Sequence, residues 1–122
     1  MTGEIRLAKS IRLVKGAMRH DFAPGSITLD QTGVLVYDSV QSVGTSEETA
    51  GPNFGDVGTE GWCCIYNLDT TNYVQVGFST GVYGMRLRGG GAPADFFLEP
   101  GATLYLKANT AACNVRIIVY EF

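Results

Sequence analysis

Residues 5–15 alternate: Ile5, Leu7, Ile11 and Leu13 fall on one side of a period-two pattern. Successive side chains of a strand point to opposite faces, so this spacing predicts a strand. A helical stripe of Leu7, Ile11, Val14 and Met18 competes with it, and Gly16 together with the β-rich remainder favours the strand. Ala23-Pro24-Gly25 reads as a turn, after which come Ile27 and Leu29, then Thr32-Gly33. In residues 34–43, Leu35, Tyr37 and Ser39 alternate with Val34, Val36 and Asp38, which makes two more strands. Residues 44–61 lose the pattern. Their four acids (Glu47, Glu48, Asp56 and Glu60), Pro52 and several glycines predict a long surface loop, a kind of segment that is usually functional or mobile.

Residues 61–78, GWCCIYNLDTTNYVQVGF, predict a hairpin with its tip near residues 68–71. If Ile65 and Val74 share a face, Cys63 lies opposite Val76 and Asn67 opposite Asn72, around a four-residue loop. One face then carries Cys63, Ile65, Val74, Val76 and Phe78, and the other Trp62, Cys64, Tyr66, Tyr73 and Gln75. Tyr83, Met85 and Leu87 oppose Arg86 and Arg88 in the following strand, and Gly89-Gly90-Gly91 turns it into residues 96–99. Pro100-Gly101 suits the centre of a type II turn, where proline fixes φ and glycine accepts a positive one. Residues 103–108 and 113–122 complete the set, the last with Val115, Ile117 and Val119 on one face against Arg116, Ile118 and Tyr120. About eight short strands predict an all-β chain: a single small β-sandwich, jelly-roll-like, over residues 16–122, with residues 1–15 as a basic N-terminal arm or edge strand.

Composition agrees. At 122 residues the chain has the length of one domain, and 45% apolar with 17% charged residues excludes disorder as a description of the whole. No apolar run approaches the roughly 18 residues that span a bilayer, so no membrane partner is expected. Charges recur through the first twenty residues, which lack the apolar stretch of a secretory leader; the expectation is a protein made and kept in a cytoplasm.

Net charge is only −3, but Arg6, Lys9, Arg12, Lys15 and Arg19, more than half of the nine basic residues, sit in the first nineteen positions beside one acid, Glu4. Such an arm suits nucleic acid or an acidic protein surface, or it is the solvated side of an edge strand kept from aggregating by its charges. It carries neither Trp nor Tyr to stack on bases, so nucleic acid is not an expected partner.

Reactive chemistry finds little support. Adjacent strand cysteines point to opposite faces, so Cys63 and Cys64 are poorly placed to share a metal ion. Their Cα atoms, about 3.8 Å apart, are too close for an unstrained disulfide. Zinc asks for four ligands, and the chain offers three cysteines and His20 without CxxC spacing. His20 beside Asp21 fits a structural role better than a nucleophile's base. Arg88-Gly89-Gly90-Gly91 lacks the Lys-Ser/Thr and the helix of a phosphate cradle, and fits a hairpin turn. Glu47, Glu48, Asp56 and Glu60 are hard oxygen donors suited to calcium, but without an EF-hand spacing. No enzyme activity and no cofactor are expected.

Three runs, VQSVGTSEE (40–48), NLDTTNYVQVG (67–77) and LEPGATLYLKANTAACNVRIIVYEF (98–122), resemble a group of small tailed-bacteriophage virion proteins, with similarity from Lys15-Gly16 to the C-terminus. The runs are turn and strand signatures, not catalytic ones. Where relatives carry an aromatic or aliphatic pair, this chain has Cys63-Cys64, which suits packing. The resemblance implies a virion structural protein assembled in the bacterial host cytoplasm. The leading expectation is a capsid decoration, or cement, protein on the outer surface of the head, forming a homo-oligomer, a trimer, and contacting the major capsid protein or other virion proteins. A neck, tail or baseplate adaptor is the alternative, and a carbohydrate-binding module a third reading. The candidate interface comprises Arg6, Lys9, Arg12, Lys15 and Arg19 with Trp62, Tyr66 and Tyr73, aromatics being common interface anchors.

Overall fold

The computed structural model describes residues 4–51 and 54–122, and divides the chain into two units, 1–32 and 33–122.

The first unit is a two-stranded antiparallel ribbon, β1 (Ile5–Lys15) and β2 (Met18–Leu29). Lys15 pairs with Met18, leaving Gly16-Ala17 as a two-residue loop. Gly16 takes φ +57, the left-handed value that a primed hairpin turn needs at its first central position. Ala23-Pro24-Gly25 does not turn the chain, contrary to the sequence expectation. The register slips between Lys9 and Ile11, so that one β1 residue, Ser10, faces both Ala23 and Pro24 in a bulge, where a residue without an N–H is tolerated. The arm therefore extends past residue 15 to Thr32, because Gly16 reverses the strand and β2 runs back along its whole length.

The second unit is a jelly roll. Its strands are β3 (Val36–Val43), β4 (Glu48–Thr49), β5 (Glu60–Asn67), β6 (Val74–Gly77), β7 (Met85–Leu87), β8 (Ala94–Phe97), β9 (Tyr105–Ala108) and β10 (Cys113–Glu121). They form two four-stranded antiparallel sheets in the orders β3-β10-β5-β8 and β4-β9-β6-β7. Every connection except β6 to β7 crosses between sheets, and the last strand lies beside the first, the double Greek key of this architecture. Inward positions alternate as the sequence predicts. Val43, Cys63, Ile65, Val115, Ile117 and Val119 come from the first sheet and meet Val74, Val76, Leu87, Leu106 and Ala108 from the second in one core. Each buried Val, Ile or Leu contributes about 1.5 to 3 kcal/mol by leaving water.

Two expectations change. Residues 61–78 are not a hairpin: β5 pairs with β10 and β8, whereas β6 pairs with β9 and β7 in the opposite sheet. Cys63, Ile65, Val74 and Val76 do all point into the core, but from its two sides, and Phe78 is half exposed. Residues 44–61 are not wholly a surface loop either. They contain β4 and send Ala50, Phe54 and Val57 into the core; Pro52 lies outside the described residues. Beside this segment, Ala102 N–H donates to Glu99 O across Pro100 and Gly101, with Gly101 at φ +82, the type II turn expected.

Candidate functional site

Cα partners in the ribbon share a face, so its register sorts the side chains. Ile5 with Leu29, Leu7 with Ile27, Ile11 with Phe22, Leu13 with His20 and Lys15 with Met18 lie on one side, joined by Lys9. Arg6, Ala8, Arg12, Val14, Arg19 and Asp21 lie on the other. The ribbon is thus amphipathic. Its apolar face is buried at the base, at Ile5, but open towards the tip, where Ile11, Leu13, Met18 and Phe22 are 63, 45, 59 and 54% exposed. The five basic candidates do not form one stripe: Arg6, Arg12 and Arg19 line the polar face, and Lys9 and Lys15 flank the apolar one. Arg12 reaches Asp21 at 3.6 Å, an exposed pair of little energetic weight.

The aromatic candidates divide between two sheets. Trp62 and Tyr66 alternate with buried Cys63, Ile65 and Asn67, so they look outward from the β3-β10-β5-β8 sheet. Tyr73 precedes β6 in the other sheet and lies under the Arg86 guanidinium, 3.9 Å from its ring centre. The expected single face of Trp62, Tyr66 and Tyr73 does not exist, because the hairpin that would have made it does not form. The first sheet's outer face gathers a different set: Val36, Val40, Tyr66 and Phe97 are all exposed. Phe97 stands opposite Trp62 and meets Phe122 edge to face at 4.9 Å. Across this face, the Arg116 guanidinium donates to both carboxylate oxygens of Asp38 at 2.9 and 2.7 Å and holds its carboxyl below the usual range. The opposite sheet turns Thr49, Gln75, Arg86, Tyr105 and Lys107 outward, a polar surface with two positive charges.

The carboxylates of the 44–61 segment hold loops. Glu47 accepts the Tyr83 hydroxyl at 2.5 Å and Gly81 N–H at 2.7 Å, which lowers its pKa and pushes the phenol up to about 12. Glu48 accepts Gly44 N–H at 2.5 Å and Glu60 accepts Gly101 N–H at 3.1 Å. At β10, Glu121 accepts Gly58 N–H at 2.8 Å and Val34 N–H at 3.1 Å, and its pKa falls for that reason. Among the described residues no group of three or more His, Cys, Asp or Glu side chains converges on a metal-sized space, so the acids that suggested calcium are not gathered. An open cleft of about 440 Å³, lined by Thr49, Ala50, Phe54, Glu60 and Leu104 among others, lies at the end of the sandwich. Among the described residues no helix is long and apolar enough to cross a membrane.

The cysteines separate as strand alternation requires. Cys63 is fully buried, and desolvation, with a smaller contribution from Cys64, pushes its thiol up to about 12. Cys113 is also buried and its thiol raised, chiefly by burial. A thiol held protonated is a poor nucleophile and a poor ligand.

Sequence reasoning missed the open apolar half of the ribbon and the exposed Val40 and Phe97. Alternation marked Ile11 and Leu13 as one face without showing that, among the described residues, their sheet holds β1 and β2 alone. No family model, curated protein or solved structure matches the chain.

Proposed function

We propose that this chain is a bacteriophage virion structural protein that decorates the outer surface of the head as a homo-oligomer and ties neighbouring capsid subunits together. The observation that carries the reading is where the three virion-like runs fall. Residues 40–48 end β3 and enter β4, 67–77 make the crossover from β5 to β6, and 98–122 supply β9, β10 and the type II turn before them. They are the frame of a jelly roll, an architecture that viral capsid proteins and lectins use. The acids with lowered pKa support a structural reading in the same way: Glu47, Asp69 and Glu121 accept N–H groups of loops and so rigidify a scaffold. The carbohydrate reading loses the shared face of Trp62, Tyr66 and Tyr73 that motivated it.

The deciding experiment is stoichiometry. Purified particles are dissolved and this chain is quantified against the major capsid protein by mass spectrometry with labelled standards. A decoration protein approaches the capsid protein in copy number. Presence in only a few rings' worth of copies makes the chain a neck, tail or baseplate adaptor, and absence from the particles removes the virion role.

A further inference from the structure

We infer that the β1–β2 ribbon docks, by its apolar face, on the outer face of the β3-β10-β5-β8 sheet of a second copy of this chain. The inference rests on the ribbon and the sheet, and holds or fails independently of the virion role.

A two-stranded ribbon is marginal by itself in water, and stability usually asks for a third strand or a packed face. Here Ile11, Leu13, Met18 and Phe22 offer such a face and stay exposed. A contiguous apolar patch of this kind marks an interaction surface.

Charge selects the occupant. Residues 1–32 hold five basic side chains against three acids, a net charge of +2, while residues 33–122 hold four against nine, a net charge of −5. Ribbons repel ribbons, bodies repel bodies, and a ribbon attracts a body. Copies of one chain therefore supply both halves of a complementary pair.

Charge and polarity also select the sheet. The outward positions of the β4-β9-β6-β7 sheet carry Arg86 and Lys107 and oppose a basic ribbon. The β3-β10-β5-β8 sheet presents exposed Val36, Val40, Tyr66 and Phe97 for the apolar face, and its outward charges are two acids, Asp38 and Asp95, against one base, Arg116, which is already paired with Asp38, so the face is net negative where the other sheet's is positive. At the strand rise and spacing, the open part of the ribbon is about 27 Å long and about 10 Å wide. One ribbon laid on a neighbour hides on the order of 500 Å² counting both surfaces, which is crystal-contact size; reciprocal exchange doubles or trebles that and enters the range of specific association. The geometry points to a closed oligomer in which every copy gives a ribbon and receives one.

The test is sedimentation velocity of the whole chain at micromolar concentrations. The wild type sediments as a closed oligomer. Ile11→Asp with Phe22→Asp on the ribbon, and separately Val40→Asp on the sheet, each raise the dissociation constant at least tenfold. Because all three side chains are exposed, the far-ultraviolet spectrum stays that of the wild type. With Cys64 replaced by Ser in both chains, mixing a Phe22→Cys chain with a Val40→Cys chain under mild oxidation gives a disulfide-linked pair joining one of each. A monomeric wild type, an oligomer indifferent to both Asp variants, or no mixed disulfide overturns the inference. A ribbon variant that loses only binding to another virion protein, with the oligomer intact, overturns it as well and assigns the ribbon to that protein.

Discussion

Asn67 Nδ2 donates to Leu87 O at 3.0 Å, tying β5 in one sheet to β7 in the other through the interior of the sandwich. The same amide donates to Asn72 O at 2.9 Å, and its Oδ1 accepts Asp69 N–H at 3.0 Å. Asn67 is the buried polar residue of the core, and three bonds meet its needs. Asn67→Leu strands the buried Leu87 carbonyl, at a cost of about 1 to 3 kcal/mol, and leaves the half-buried Asn72 carbonyl and Asp69 N–H without their partner. The expected outcome is a loss of at least about 2 kcal/mol in urea-unfolding free energy. An unchanged urea midpoint would remove the amide from its place as the crossover clamp.

The sequence made the strands legible and left their partners hidden. Alternation at Cys63, Ile65, Val115, Ile117 and Val119 found the inward positions because burial enforces a period of two. It could not tell that Ile65 and Val74 enter the core from opposite sheets and not along a hairpin, since both arrangements put them on the same side of the pattern. Pairing is a long-range property, decided here by β10 lying between β3 and β5. Residues 44–61 misled for a related reason: Glu47, Glu48 and Glu60 read as solvated, yet each holds a backbone N–H of a neighbouring loop. Pro100-Gly101 was legible because a type II turn is a local demand on φ. Ala23-Pro24-Gly25, equally turn-like, became a bulge because pairing continues on both sides of it.

Gly77 and Gly84 separate close packing from mere flexibility. A Cβ on Gly77 would run into the backbone carbonyl oxygen of Val82, a residue whose N–H is tied to Ser79, whereas one on Gly84 meets nothing within 4 Å. Gly77→Ala is expected to cost about 1 to 3 kcal/mol through forced backbone movement. Gly84→Ala is expected to stay within about 0.5 kcal/mol of the wild type. Thermal melts of the two variants side by side check this, and equal melting temperatures would refute the close approach.

The three cysteines should differ in reactivity. In the native protein at pH 8, a thiol-specific reagent should leave Cys63 and Cys113 untouched, because each is buried and its pKa raised, so at most one thiol per chain, Cys64, is labelled. In guanidinium chloride all three react. Peptide mapping of the labelled native chain checks the assignment. Rapid modification of Cys63 without unfolding would contradict its place in the core.

Glu47 and Tyr83 share one hydrogen bond, and their shifts set a pH window. The Glu47 carboxyl lies below its ordinary 4.5, the Tyr83 hydroxyl bond being the largest cause and Gly81 N–H the next. A lowered folded pKa means that this contribution is present above the unfolded value and lost as pH falls through the folded one. The Tyr83 phenol is raised from 10.0 to about 12, first by the bond to Glu47, so its contribution is present below 10 and lost as pH climbs through about 12. The bond therefore supports the fold most between about pH 5 and 10 and fades at both ends. Tyr83→Phe removes it. The variant should have a lower urea midpoint than the wild type at pH 7, and the gap should narrow towards pH 3, as acid titrates the Glu47 carboxylate that accepts the bond. Urea titrations of both proteins at the two pH values read this directly; a gap that is the same at pH 3 and pH 7 would show that the tyrosine acts through packing and not through the carboxylate.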